Sequence, residues 1–317
     1  MGVANRAVIA TVAAAGVYAG VSSAMAAGLT RTKRIFPDDT PETVGLPFED
    51  IVFRPRGGGP DLSGWLIPAP GKSVQESIAE SPWVVTVHGF GTNRTDPSVG
   101  LIGLARDLSA FGYAVVMFDV RACGRSGGSS GSVGYYERLD LLGALDMLSR
   151  RGVTPSRTVI MGFSLGAAVA LLVGSVPGNC AAIVADSPFA DLRLTIRHTS
   201  TGLLRSLVVF HPGMKLAART LFGIDIDELS PAKALAASDV PCLVIHGGRD
   251  KYVPRDHAAL LARALAASPA GARNGGRQLW EVPEAGHVQA YRTERGAYVE
   301  KVAEFLAAQV GGTNGRV

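Results

Sequence analysis

Short runs of β-branched and apolar residues, each bounded by Gly, Pro or Asp, alternate along most of this chain with longer stretches patterned as helices, and that alternation limits the fold more than any other feature. Eight runs qualify as strands: Asp50 to Arg54, Leu62 to Pro68, Trp83 to Val87, Ala114 to Val120, Thr158 to Gly162, Ala181 to Ala185, Cys242 to His246 and Gln278 to Val282. Helical spacing of apolar residues appears over Ser98 to Phe111, Glu137 to Arg151, Leu165 to Gly174, Arg255 to Ala267 and Thr293 to Gln309. A helix between two strands brings the chain back in the same direction, so the sheet is predicted to be mostly parallel with helices on both faces. The first two runs have no helix between them and predict an antiparallel N-terminal edge. The expectation is one α/β domain over residues 49–311, followed by a tail at 312–317.

One interval breaks the rhythm. Ala190 to Asp239 supplies roughly fifty residues between two strands, where a crossover needs only about a dozen. The surplus predicts a small helical cap insertion over 190–239, lying across the carboxyl edge of the sheet where α/β folds bind ligands. With 47% apolar and 18% charged residues the chain is core-rich, which excludes extensive disorder. Its 31 basic and 27 acidic residues leave a net +4 spread without a basic run, so nucleic acid is not an expected partner. Cys123, Cys180 and Cys242 lie far apart without CxxC spacing and indicate neither a zinc site nor a disulfide framework. HExxH, a Walker A loop and a GxGxxG opening a helix after the first strand are all missing, so no metal and no cofactor is expected.

From Ala7 to Leu29 no side chain is charged, and as a helix this stretch measures about 35 Å against a hydrocarbon core of about 30 Å. Residues 1–29 therefore read as a membrane anchor, weakly hydrophobic because Ala and Gly dominate it. A cleaved secretory signal is the competing reading, since Ala24-Met25-Ala26 fits a small-x-small cleavage pattern. The lone Arg6 ahead of the stretch, its length, and Arg31, Lys33 and Arg34 behind it favour the anchor. Those three cations would hold the larger domain on the cytoplasmic side. Pro37, Pro41 and Pro47 punctuate a polar segment that reads as a tether, residues 30–48.

The pattern G-x-S-x-G occurs three times, centred on Ser126, Ser129 and Ser164. In a chain with 39 glycines the pentapeptide alone means little. A nucleophile elbow needs a buried strand before the serine and a helix after it, and only Ser164 has both, with Thr158-Val159-Ile160-Met161 ahead and Leu165 to Leu172 behind. A serine hydroxyl is a weak nucleophile and needs a histidine base oriented by a carboxylate.

In this context the chain resembles a serine hydrolase of the α/β-hydrolase superfamily, over roughly Glu49 to Ala308. His88-Gly89-Phe90-Gly91 resembles the family's HG-x loop. Asp119-Val120-Arg121-Ala122-Cys123-Gly124-Arg125-Ser126 resembles its D-x-R-G-x-G-x-S turn with Ala122 in place of a glycine, and His246-Gly247-Gly248-Arg249-Asp250-x-x-Val253-Pro254 resembles its acid loop. The opening from Gly45 to Pro68 is similar to that of membrane-anchored bacterial members of the esterase, lipase and serine aminopeptidase-like branch.

The resemblance implies the chain order Ser, acid, His. Among six histidines, His287 in Glu284-Ala285-Gly286-His287 follows the last strand, where the base belongs. His88 reads as a structural group ending a strand, His246 precedes the acid, His198 and His211 fall in the insertion, and His257 sits on a helix in an exposed polar role. Asp250 is the expected carboxylate and Asp186, one strand earlier, the rival; Asp119 reads as a stabiliser of its own turn. The oxyanion donors implied are the backbone N–H groups of Phe90 and Leu165, the second at a helix start.

These residues imply an α/β-hydrolase fold and hydrolysis of a carboxylic ester or thioester through an acyl-enzyme, with a small-molecule or lipid-like acyl substrate and a membrane held through residues 7–29. An aminopeptidase-like peptidase using the same triad is the enzymatic alternative. A catalytically silent, membrane-tethered interaction module is the alternative of a different class.

Overall fold

The computed structural model describes residues 3–199, 207–267 and 276–310; the predicted tail 312–317 lies outside the described residues. Eight strands form one sheet: β1 Glu49–Phe53, β2 Leu62–Ile67, β3 Trp83–Val87, β4 Ala114–Phe118, β5 Thr158–Phe163, β6 Ala182–Asp186, β7 Cys242–Gly247 and β8 Arg277–Val282. Their order is β1-β2-β4-β3-β5-β6-β7-β8. β1 and β2 pair antiparallel, as do β2 and β4, and every later pair is parallel. This is the α/β-hydrolase fold, with the antiparallel edge where the sequence placed it.

The central strands are continuous apolar runs because both faces of the sheet are covered. Their side chains alternate between two cores. Val85, Val87, Val116, Phe118, Ile160 and Val244 face one, with α2 Val74–Glu80, α4 Glu137–Arg150, α5 Leu165–Gly174, α8 Pro231–Ala236 and α9 Arg255–Ala267. Val84, Val115, Met117, Val159, Met161 and Ile245 face the other, under α3 Leu101–Ala110, α10 Ala290–Thr293 and α11 Arg295–Val310.

The insertion is helical as expected: α6 Leu192–Thr199, α7 His211–Phe222, a 3₁₀ turn at Ile226–Glu228, and α8. Its apolar faces form a third core with Leu165, Ala168 and Phe189. Into that core also reaches the N-terminal helix α1, Val3–Thr30, through Ala26, Met25 and Leu29. α1 is long and apolar enough to cross a membrane, near the N-terminus. Its last turns lie along α7: Tyr18 stacks on Phe210 at 5.2 Å, its hydroxyl donates to the Val209 carbonyl at 3.2 Å, and the Gly213 amide donates back to that hydroxyl at 3.1 Å. A Cβ on Gly213 would stand 2.2 Å from Ser22 Oγ, so only glycine permits this approach.

The stretch read as a tether lies against the body. Arg34 donates to the carbonyls of Gly124 at 2.9 Å and Gly128 at 2.8 Å, and Val44, Leu46 and Phe48 pack on the sheet's second core.

Candidate active site

Ser164 stands between β5 and α5, on a backbone with φ 53° and ψ −115°. A non-glycine residue at positive φ is strained, and here the neighbours enforce it. A Cβ on Gly162 would meet the Gly166 carbonyl at 2.2 Å, and one on Gly166 would meet the Val87 carbonyl at 2.0 Å. Strand and helix cross too closely for side chains on either flank, which lifts the serine out of the turn. The other two serines of the pattern are placed differently. Ser126 is buried, its hydroxyl donating to the Asp119 carbonyl at 2.6 Å and accepting from the Ser63 amide at 2.9 Å, while Ser129 is exposed on the loop.

His287 Nε2 lies 2.8 Å from Ser164 Oγ, and its Nδ1 lies 2.7 Å from Asp250 Oδ2. A carboxylate can only accept, so Nδ1 carries the proton and Nε2 is left as the acceptor for the serine hydroxyl. Asp250 Oδ1 accepts the amides of Tyr252 and Val253, each at 2.8 Å. Burial works against the charged carboxyl, but the bond and charge of His287 together with those amides outweigh it and hold Asp250 below the usual carboxylate range.

The rival carboxylate makes no hydrogen bond to the imidazole. Asp186 is fully buried, accepting the Ser187 hydroxyl at 2.9 Å and the Tyr298 hydroxyl at 3.0 Å, and burial pushes it up to about 6. Ser187 Oγ in turn accepts the Val288 amide at 3.1 Å, so Asp186 steadies the loop that carries His287.

The loop after β3 is fastened from below. His88 Nδ1 donates to the Gly89 carbonyl at 2.8 Å and Nε2 accepts the Val120 amide at 3.1 Å; burial lowers its pKa and favours this neutral form. Arg94, fully buried, pairs with Asp119 at 2.9 Å and lies over the Trp65 ring at 4.3 Å. Asp119 also accepts the Arg94 and Arg125 amides at 2.7 and 2.8 Å, binding the loop after β3 to the turn after β4. That turn carries Ala122 at φ 59°, in the left-handed region where the family pattern has glycine. His257 differs from expectation: it is 1% exposed and accepts the Ala190 amide on Nδ1 at 3.0 Å, because α9 turns this residue under the start of the insertion. Burial, with the neighbouring His198 and His246, lowers it to about 4.

Phe90, Ser164, Leu165 and His287 all line one cleft of about 440 Å³. Its walls are mostly apolar, from Phe90, Val133, Leu165, Phe189, Leu192 and Val253. Among the described residues no backbone hydrogen bond outside the regular helices and strands engages the Phe90 or the Leu165 amide. Among the groups of this cleft that escaped the sequence reading are Tyr252, whose ring lies 5.4 Å from that of His287, and the carboxylate of Asp96. Neither sits in a motif, and Asp96 in Asn93-Arg94-Thr95-Asp96-Pro97 looks like ordinary turn chemistry.

The arrangement offers a hydroxyl hydrogen-bonded to an imidazole and a carboxylate fixing that imidazole, with Phe90 and Leu165 lining the same cleft, a geometry suited to acyl transfer. Similar proteins agree at the level of fold. The esterase Pf2001 of Pyrococcus furiosus superposes with a TM-score of 0.69 at 23% identity, covering 89% of this chain and all of that one. An acylaminoacyl peptidase of Pyrococcus horikoshii gives 0.59 at 16% identity, over 82% of this chain and 41% of the other. In sequence, the uncharacterized protein YqkD of Bacillus subtilis (strain 168) is 28% identical over 276 residues, 81% of this chain and 86% of YqkD. The sequence pattern of the prolyl oligopeptidase family (Peptidase_S9) matches residues 105–313, which include Ser164, Asp250 and His287. With that match and this fold, the chain is a serine hydrolase belonging to the prolyl oligopeptidase family.

Proposed function

We propose that the protein hydrolyses a carboxylic ester or thioester with an apolar acyl group, through an acyl-enzyme on Ser164. The observation that carries this reading is the line of hydrogen bonds from Ser164 through His287 to Asp250, at 2.8 and 2.7 Å, opening into a largely apolar cleft. His287 Nε2 takes the hydroxyl proton as Oγ attacks the carbonyl carbon. The carbonyl oxygen becomes negative and is held by the N–H groups of Phe90 and Leu165, each worth about 2.7 to 4 kcal/mol on the precedent of other hydrolases. The imidazolium, stabilised by Asp250, then gives its proton to the departing alcohol or thiol. Water repeats the sequence and releases the acid. α1 holds the enzyme at a membrane, with the domain on the cytoplasmic side.

A fluorophosphonate probe tests the nucleophile: the wild type is labelled and Ser164→Ala is not. A silent interaction module on this fold would stay unlabelled, which would overturn the reading. p-Nitrophenyl esters of increasing chain length, run beside aminoacyl arylamides, test the bond type; faster cleavage of the amides would make the protein a peptidase on the same residues. Because only the neutral imidazole accepts the serine proton, kcat/KM falls on acidification.

A further inference from the structure

Among the polar groups of the cleft, one carries a carboxylate that an apolar substrate does not need. Asp96 is 4% exposed and lines the cleft a short reach from the nucleophile: a methyl placed on Gly89 would touch Ser164 Cβ at 3.5 Å and Asp96 Oδ2 at 4.0 Å. Its Oδ1 is satisfied, accepting the Ser98 amide at 3.0 Å and the Ser98 hydroxyl at 2.6 Å. Its Oδ2 has no hydrogen-bond partner among the described residues, and no cationic side chain there forms an ion pair with it. The Arg94 guanidinium on the same loop bonds Asp119 and Ser63 and forms no ion pair with Asp96, and His88 is held neutral by burial.

Asp96 lines the cleft with no cation among the described residues ion-paired to it, and a charge-assisted hydrogen bond formed among apolar walls is stronger than one made in bulk water. The step proposed for Ser164 gathers negative charge on an oxygen beside Phe90, on the same loop as Asp96, and a carboxylate there opposes that charge. A cation brought by the substrate meets the carboxylate and offsets that opposition.

We propose that Asp96 receives a protonated amine of the substrate, so that the preferred ester carries an ammonium group within a few bonds of its scissile carbonyl. The inference rests on the hydrolase reading of the Ser164 site and narrows its substrate class. The amine can belong to the acyl part or to the leaving alcohol, and the two sources are separable. The purified full-length chain is assayed with two matched pairs, p-nitrophenyl 2-aminohexanoate against p-nitrophenyl hexanoate, and 3-aminopropyl hexanoate against butyl hexanoate. The wild type should favour the aminated member of one pair by tenfold or more in kcat/KM, and the pair that responds places the amine.

Asp96→Asn keeps an oxygen for Ser98 and removes the charge. It should lower kcat/KM for the aminated ester and raise kcat for its neutral partner. A residue that merely supports the loop would lower both. Should the variant fail to fold, competition on the wild type decides: hexylammonium should inhibit at least tenfold more tightly than hexanol. Equal rates within both pairs, equal inhibition by the two hexyl compounds, or a parallel loss in Asp96→Asn overturns the inference. Loss of fluorophosphonate labelling together with all ester turnover would instead remove the Ser164 reading beneath it.

Discussion

Two aspartates show how placement divides labour between like residues. Asp250 lies in the loop after β7 and meets the imidazole, whereas Asp186, the last residue of β6, is sealed below it with two hydroxyl donors. Asp250→Asn should therefore leave the fold intact and reduce kcat by about 10⁴, because the amide favours the wrong tautomer. Asp186→Asn should act on stability. Its folded pKa, about 6 against an ordinary 3.8, means that the native state binds this proton more tightly than the unfolded chain does. Stability from this group is thus present in acid and lost as pH rises from about 4 to about 6, by up to about 3 kcal/mol. Urea midpoints at pH 4 and pH 7 should lie closer together in Asp186→Asn than in the wild type, and an unchanged gap would show that the carboxyl is charged throughout. Ala122 poses a different question. Relief of its left-handed backbone by glycine, about 1 to 2 kcal/mol, is offset by the flexibility of unfolded glycine and by loss of one buried methyl, each just under about 1 kcal/mol. Ala122→Gly should move the melting temperature by no more than about 2 °C, measured calorimetrically.

Among elements, the junction of β5 and α5 is the least tolerant of added volume. Gly166→Ala would drive a methyl into the Val87 carbonyl, a backbone atom that cannot step aside, so we expect a loss of at least about 3 kcal/mol and little soluble protein. The same junction explains why Ser164 stood out: strand, glycine, serine, glycine and helix are local in sequence. His287 and Asp250, which the structure brings into line with it, stood out through their loops and chain order. What the sequence did not disclose depends on distant partners. The strand foreseen through Val120 stops at Phe118 because Asp119 turns inward to Arg94 and the Val120 amide goes to His88. The helix foreseen from Thr293 begins at Arg295, after Glu294 breaks from α10 at φ −134° and ψ 57°. α2 went unseen because seven residues are too few for a periodic signal, although Ser73 and Glu76 form a capping box at its start. Asp96 went unseen because its significance lies in the apolar walls around it.

At the scale of the molecule, the cap and the N-terminal helix share a surface. A chain beginning at Thr30 should remain folded, since both cores of the sheet are intact without α1, but it loses Met25, Ala26 and Leu29 from the cap core. Limited proteolysis of that chain should open first in α7, while cleavage first in the sheet would show that α1 supports more than the cap. The contact also sets a length. From Tyr18 to Leu29 the helix carries its contacts to α7 and the cap core, about 18 Å of its length. Were α1 to enter a bilayer as far as Thr30, its last turns would have to leave α7, so insertion and seating against the cap are alternatives for the same face of the helix.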